Sequence, residues 1–134
     1  MVAGRSSKPE HIDLIGIVDD DQRVLNGLQQ LLESVGYDVL SFRSANGLLA
    51  SEVIDSITCV ITDIGMPEVN GFELREILNR ERPLVPVILI TGRYELIENL
   101  PQESGMIILR KPFDSSALLS AISKCLGNAM PNCG

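Results

Sequence analysis

The stretch Ile57–Thr62 (ITCVIT), followed by Asp63, decides the fold. Its β-branched and apolar residues favour a strand that is covered on both faces. Towards the N-terminus, Ile12–Val18 (IDLIGIV) is a second apolar run, and it ends in Asp19-Asp20-Asp21. Two buried strands that each end in carboxylates predict a sheet with one strongly acidic edge.

Three further strand-like runs, with helical patterns between them, complete an alternating order. These runs are Tyr37–Phe42, Val85–Ile90 and Met106–Leu109. The helical segment after the fourth strand, Tyr94–Leu100, is short and stops at Pro101. The alternation predicts an α/β fold with a single flavodoxin-like, doubly wound, five-stranded parallel sheet of order 2-1-3-4-5. It also predicts five helices, of which helix 4 is short or irregular.

The length and composition of the chain predict one domain with flexible terminal tails. A chain of 134 residues with 45% hydrophobic residues can bury a core without disulfides, and its three cysteines form no C-x-x-C pair. We expect residues 11–127 to form the domain, and residues 1–10 and 128–134 to be flexible tails. The net charge of −7 argues against direct nucleic-acid contact. No apolar stretch reaches the roughly 18–20 residues of a membrane span, and a cytoplasmic location suits the chain.

Polar side chains follow four of the predicted strands. Asp19 and Asp20 follow the first strand, Asp63 the third, Thr91 the fourth and Lys111 the fifth. Because the carboxyl ends of parallel strands form one edge, these side chains should lie close together. Clustered carboxylates repel each other unless a cation separates them, and an all-oxygen ligand set favours Mg2+.

This residue set has the parts for phosphoryl transfer. A carboxylate such as Asp63 can accept a phosphoryl group as an aspartyl phosphate. Mg2+ and Lys111 would supply positive charge to the transferring oxygens, and Thr91 a hydroxyl. The chain contains no G-x-x-x-x-G-K-[ST] phosphate-binding loop, so another molecule has to bring the phosphoryl group.

Four motifs, in this order, resemble those of response regulator receiver domains. They are Val18–Asp21, Thr62–Pro67 with Asn70-Gly71, Ile90–Gly92 and Arg110–Phe113, and the likeness covers about residues 12–126. The resemblance implies a phosphoacceptor of a two-component system, which a sensor histidine kinase or phosphotransfer protein would phosphorylate. Such a domain changes conformation and assists its own phosphotransfer and dephosphorylation, but it is not an enzyme in the usual sense. A homodimer on phosphorylation is also implied.

The same resemblance implies the role of each site residue. Asp63 is the phosphoacceptor, and Thr91 and Lys111 bind the phosphoryl group, with Thr91 as the switch hydroxyl. The Lys111–Pro112 peptide bond is expected to be cis. The implied Mg2+ ligands are the side chains of Asp19, Asp20 and Asp63 and the backbone carbonyl of Gly65.

Two positions depart from the family pattern. Receivers usually carry Tyr or Phe three residues before the lysine, where this chain has Ile108, so we expect an unusual readout and output surface. Gly65, two residues beyond the acceptor, should leave the phosphoryl group less shielded and shorten its lifetime.

Two other functions compete with this one. A phosphatase of the haloacid-dehalogenase type carries D-x-D-x-[TV] after its first strand; Asp19 and Asp21 match, but Arg23 does not. A receiver-like binding module that is never phosphorylated is the main alternative, because of Ile108 and the short fourth helix. The complete set of acids, together with Lys111, favours the phosphoacceptor.

Overall fold

The structure is a computed structural model that describes residues 13–98 and 106–127. Both predicted tails and the Pro101 helix stop lie outside the described residues. Within them, no helix is long and apolar enough to cross a membrane.

The described chain alternates strands and helices around one parallel sheet. The strand order is β2-β1-β3-β4-β5, which confirms the predicted fold class. The strands are β1 (Leu14–Val18), β2 (Asp38–Phe42), β3 (Cys59–Asp63), β4 (Val87–Thr91) and β5 (Ile107–Arg110). The helices are α1 (Gln22–Ser34), α2 (Ala45–Leu49), α3 (Gly71–Glu81) and α4 (Ser115–Cys125), with 3-10 helices at Ile54–Ser56 and Tyr94–Leu96.

Four α-helices are present among the described residues, rather than five. The predicted fourth helix, which was expected to be short or irregular, is represented there by the 3-10 helix Tyr94–Leu96, and the predicted fifth helix is α4. The 3-10 helix has no side-chain cap and no fully buried residue, and Leu96 is its one residue that packs against a core cluster, so little stabilises a longer helix among the described residues. The second helix, α2, is also short: Ser44 caps it, and it ends at Leu49.

Both faces of the sheet are covered, as a doubly wound fold requires. One core cluster packs α1 and α4 against alternate residues of the central strands, and the other packs α2 and α3 against the opposite face. Cys59 in β3 is fully buried, and burial raises the pKa of its thiol to about 12. It is therefore a small residue of the core.

Strand β3 lies at the centre of the sheet, between β1 and β4, and every one of its residues is buried. Pro86 stands immediately before β4, where its carbonyl accepts a hydrogen bond from the Val60 N–H at 3.0 Å. Proline has no backbone N–H to donate, and at this position the hydrogen bonding between the strands does not require one. The carboxyl ends of β1, β3, β4 and β5 carry the polar residues described next.

Candidate functional site

Three carboxylates meet at the carboxyl ends of β1 and β3. One oxygen from each of Asp19, Asp20 and Asp63 lies within 4.8 Å of the others. Asp19 is 1% exposed and Asp63 is 8% exposed, whereas Asp20 faces solvent. The structure therefore brings together the three acids that the sequence had placed at one edge.

Hydrogen bonds within the turn after β1 fix the position of Asp19. Its Oδ1 accepts a hydrogen bond from the Asp21 N–H at 2.9 Å. Asp21 in turn caps α1, accepting from the Arg23 N–H at 2.9 Å. The hydrogen bonds from Arg23 lower the pKa of Asp21. Asp21 therefore begins the helix and is not one of the three clustered acids.

The turn after β3 is fixed by the start of α3. Asn70 and Glu73 form a capping box, in which each side chain accepts from the other residue's backbone N–H at 2.9 Å. The N–H of Gly71 donates to the Ile64 carbonyl at 3.0 Å. A Cβ at Gly71 would lie 2.5 Å from the Asp63 carbonyl oxygen, so glycine is what allows α3 to begin this close to the acid.

Lys111 supplies positive charge to the cluster. Its Nζ lies 3.1 Å from Asp19 Oδ2 and 3.3 Å from Asp63 Oδ1. Burial alone would lower the pKa of Lys111, but the hydrogen bond and charge of Asp19, followed by those of Asp63, outweigh it and raise the pKa. The amine is therefore a cation that bridges the two buried acids.

One ammonium does not neutralise three carboxylates. The pKa of Asp19 is raised, first by burial and also by the charge of Asp63, although the Asp21 N–H and Lys111 act in the opposite direction. A buried carboxylate held beside another one is the situation that a divalent cation relieves. The donor set is made of hard oxygens, and it fits Mg2+.

Thr91 ends β4, next to Ile90, the residue paired with Asp63. It is 1% exposed. Its hydroxyl accepts a hydrogen bond from the Arg93 N–H at 2.9 Å and donates to the Arg93 carbonyl at 3.3 Å. Thr91 is thus at the predicted edge, with its hydroxyl engaged by the following turn.

Gly65 borders a cavity of about 430 Å3 that is also lined by Ile64, Asn70 and Arg93. A Cβ at Gly65 would lie 3.4 Å from Arg93 Cδ and 3.5 Å from Arg93 Nη1, which is ordinary contact. The side chain of Arg93 therefore occupies part of the space that a larger residue at position 65 would fill. Arg93 also pairs with Glu95 at 3.1 Å.

The residues around β5 include one contact that sequence reasoning missed. The Lys111–Pro112 bond is cis, as the resemblance implies, and Ile108 is half-buried in β5 opposite Leu89. The hydroxyl of Tyr94 donates to the Lys111 carbonyl, and the Arg110 guanidinium lies 5.3 Å from the centre of the Tyr94 ring. Tyr94 and Lys111 are 17 residues apart, and no local pattern predicts their contact.

Comparison with known proteins gives consistent results. A family model of the response regulator receiver domain matches residues 15–123. The transcriptional regulatory protein FixJ of Azorhizobium caulinodans is 33% identical over 117 residues, which are 86% of this chain and 56% of FixJ. The chain thus spans about half the length of the curated relatives it matches, from 49% to 58%.

Solved structures show the same fold. A response regulator receiver domain protein from Clostridium thermocellum superposes with a TM-score of 0.77 and 30% identity, covering 87% of this chain and 95% of that one. The response regulator TrrA of Thermotoga maritima, solved in complex with Mg2+ and BeF, has a TM-score of 0.76, covering 86% of this chain and 100% of TrrA. Its identity is 23%, so this second likeness concerns the fold alone.

Proposed function

The chain belongs to the family of response regulator receiver domains, and we propose that it accepts a phosphoryl group on Asp63 from a sensor histidine kinase or a phosphotransfer protein. One observation carries the proposal. Asp63 stands at the end of the central strand with Lys111 Nζ 3.3 Å from its Oδ1 and two further carboxylates beside it. A nucleophile and its charge-neutralising partner are therefore already adjacent.

The transfer balances when the phosphohistidine ring carries a proton on its other nitrogen, because the ring then leaves as neutral imidazole. An oxygen of Asp63 attacks the phosphorus of a phosphohistidine, the P–N bond breaks, and its electron pair leaves with the imidazole nitrogen. Lys111 neutralises charge on the transferring oxygens, and the Thr91 hydroxyl donates to one of them after leaving Arg93. The same groups would assist hydrolysis, in which water attacks the aspartyl phosphate. The domain acts as a signalling phosphoacceptor rather than a classical enzyme.

Asp19, Asp20, Asp63 and the backbone carbonyl of Gly65 are the residues that would hold Mg2+. When bound, the ion would neutralise carboxylate and phosphoryl oxygens together. The support is the close approach of the three carboxylates and the raised pKa of Asp19.

A cytoplasmic location is part of the proposal, since both described cysteines, Cys59 and Cys125, are free thiols. A homodimer formed on phosphorylation stays a prediction.

The test is the intact mass of the protein after incubation with acetyl phosphate and Mg2+. The wild type should gain one phosphoryl group, and Asp63→Ala should gain none. Asp55→Ala is the matched control. Asp55 is an exposed acid that precedes β3, at the amino end of the sheet and away from the site, and it is paired with Arg82. This variant should gain the group as the wild type does.

Two results would contradict the assignment. Gain of the group by Asp63→Ala would move the acceptor to another residue. No gain by the wild type, with Mg2+ binding measured separately, would favour the receiver-like binding module that is not phosphorylated.

A further inference from the structure

Hydrogen bonds join the ends of β4 and β5 in a closed circuit. The backbone N–H of Lys111 donates to the Thr91 carbonyl at 2.7 Å. The Thr91 hydroxyl is bonded to both the N–H and the carbonyl of Arg93, at 2.9 Å and 3.3 Å. The next residue, Tyr94, donates its hydroxyl back to the Lys111 carbonyl. A movement of Thr91 or Lys111 therefore reaches Tyr94 directly or through one neighbouring residue.

One member of this circuit, Lys111, contacts the acids directly, and a second, Thr91, ends the strand next to that of Asp63. Lys111 Nζ lies 3.1 Å from Asp19 and 3.3 Å from Asp63. A phosphoryl group on Asp63 would add a charge of about −1.5 to −2 and three strong acceptor oxygens, which attract this ammonium. The Thr91 hydroxyl has a single proton, so it cannot donate to a phosphoryl oxygen and to the Arg93 carbonyl at the same time. Phosphorylation would thus act on the circuit at two points.

Tyr94 is the member of the circuit that reaches the surface as an aromatic ring. Its side chain is partly exposed, and the Arg110 guanidinium lies over the ring. In the 3-10 helix that begins with Tyr94, Leu96 is packed against a core cluster, whereas Tyr94 itself is exposed and packs against neither cluster, so its ring can move without displacing the core. Ile108, by contrast, is half-buried and has no polar atom in its side chain with which to follow a change in hydrogen bonding.

We propose that Tyr94 couples the phosphorylation of Asp63 to the surface at the ends of β4 and β5, through its hydroxyl on the Lys111 carbonyl. When Thr91 and Lys111 turn to the phosphoryl group, Tyr94 leaves the Lys111 carbonyl, and its ring separates from Arg110. The inference rests on the proposed function and names the residue that carries its regulation.

Fluorine NMR of protein labelled with fluorotyrosine tests the coupling. The chain has two tyrosines, so two resonances are expected. Tyr37 is an internal control, because it precedes β2 at the amino end of the sheet, away from the acids. The variant Tyr37→Phe assigns the signals. After acetyl phosphate and Mg2+, the Tyr94 resonance should shift by more than its linewidth, and the Tyr37 resonance should stay in place.

The intact mass of the same sample separates this inference from the proposed function. A phosphoryl gain with an unmoved Tyr94 resonance overturns the coupling alone, whereas no gain overturns both. A shift of the two resonances together also contradicts a specific role for Tyr94.

Variants of Thr91 give a second, independent readout. At equal phosphoryl occupancy, Thr91→Ser keeps the hydroxyl and should keep the Tyr94 shift. Thr91→Ala removes one of the two inputs and should reduce the shift, while the Tyr37 resonance reports that the fold persists. Equal shifts in the two variants would show that the Thr91 hydroxyl does not act on Tyr94.

Discussion

Replacement of Gly71 by alanine should destabilise this protein, although the same change usually stabilises a helix. Gly71 is the first residue of α3, and alanine has the higher helix propensity by about 1 kcal/mol in a helix interior. The new Cβ would lie 2.5 Å from the Asp63 carbonyl oxygen and 2.8 Å from Ile64 Cα, both backbone atoms. Cβ contacts below 3.0 Å essentially never occur, so the backbone would have to move by about 0.5 Å (3.0 − 2.5). Overpacking of this kind costs about 1–3 kcal/mol, which outweighs the gain in propensity.

Gly27→Ala is the matched control. Gly27 lies in α1 and is exposed, and apart from its chain neighbours and the backbone of its own helix, no atom lies within 4 Å of where its Cβ would be. This change should stabilise the protein by about 0.5–1 kcal/mol. Urea unfolding followed by far-UV circular dichroism measures the free energy of unfolding of both variants. Thermal unfolding is a second measurement: a change of 1 kcal/mol in that free energy moves the melting temperature by about 2–8 °C for domains of roughly this size.

The clash at Gly71 also has a functional consequence. The atom displaced is the carbonyl oxygen of the proposed acceptor, so Gly71→Ala should gain its phosphoryl group more slowly than the wild type at a temperature where both are folded. Gly27→Ala should keep the wild-type rate. A Gly71→Ala protein that gains stability as Gly27→Ala does would refute the reasoning from the contact distances.

Two further predictions concern Asp19 and Gly65. In EDTA, Asp19→Asn should raise the free energy of unfolding, because it removes a buried carboxylate whose pKa is raised by burial and by the charge of Asp63. When Mg2+ is added, the variant should be stabilised by the ion less than the wild type is. Asp38→Asn, an exposed change of the same charge at the amino end of β2, should do neither in the same urea titrations. Gly65→Asn should slow the loss of the phosphoryl group by about two- to tenfold, equivalent to about 0.4–1.4 kcal/mol in the barrier, since it fills space beside Arg93. Gly65→Ala is the control, because its Cβ makes only ordinary contacts, and it should change the rate of phosphoryl loss little. If intact mass shows that Gly65→Asn loses its phosphoryl group as fast as the wild type, a side chain at position 65 does not shield the group.

Much of the fold follows from local sequence pattern alone. Apolar, β-branched runs such as the one before Asp63 form strands covered on both faces, and their alternation with helical patterns leaves few topologies for a parallel sheet. The carboxyl ends of such strands lie at one edge, so Asp19, Asp63, Thr91 and Lys111 were placed near each other before any distance was known. The family follows from the same residues, since their types and order form its motifs.

Other features depend on atoms that are far apart in the chain, and only the tertiary structure decides them. The length of the fourth helical segment depends on packing, and the described part, Tyr94–Leu96, buries no residue. Position 71 requires glycine because a Cβ there would clash with the backbone of Asp63, eight residues earlier. Helix propensities describe single residues and do not include such a contact. The hydrogen bond from the Tyr94 hydroxyl to the Lys111 carbonyl forms because β4 and β5 end side by side. Sequence determined which groups reach the edge of the sheet, because strand pattern and chain direction are local properties; packing determined how those groups are connected, because that depends on distances between strands.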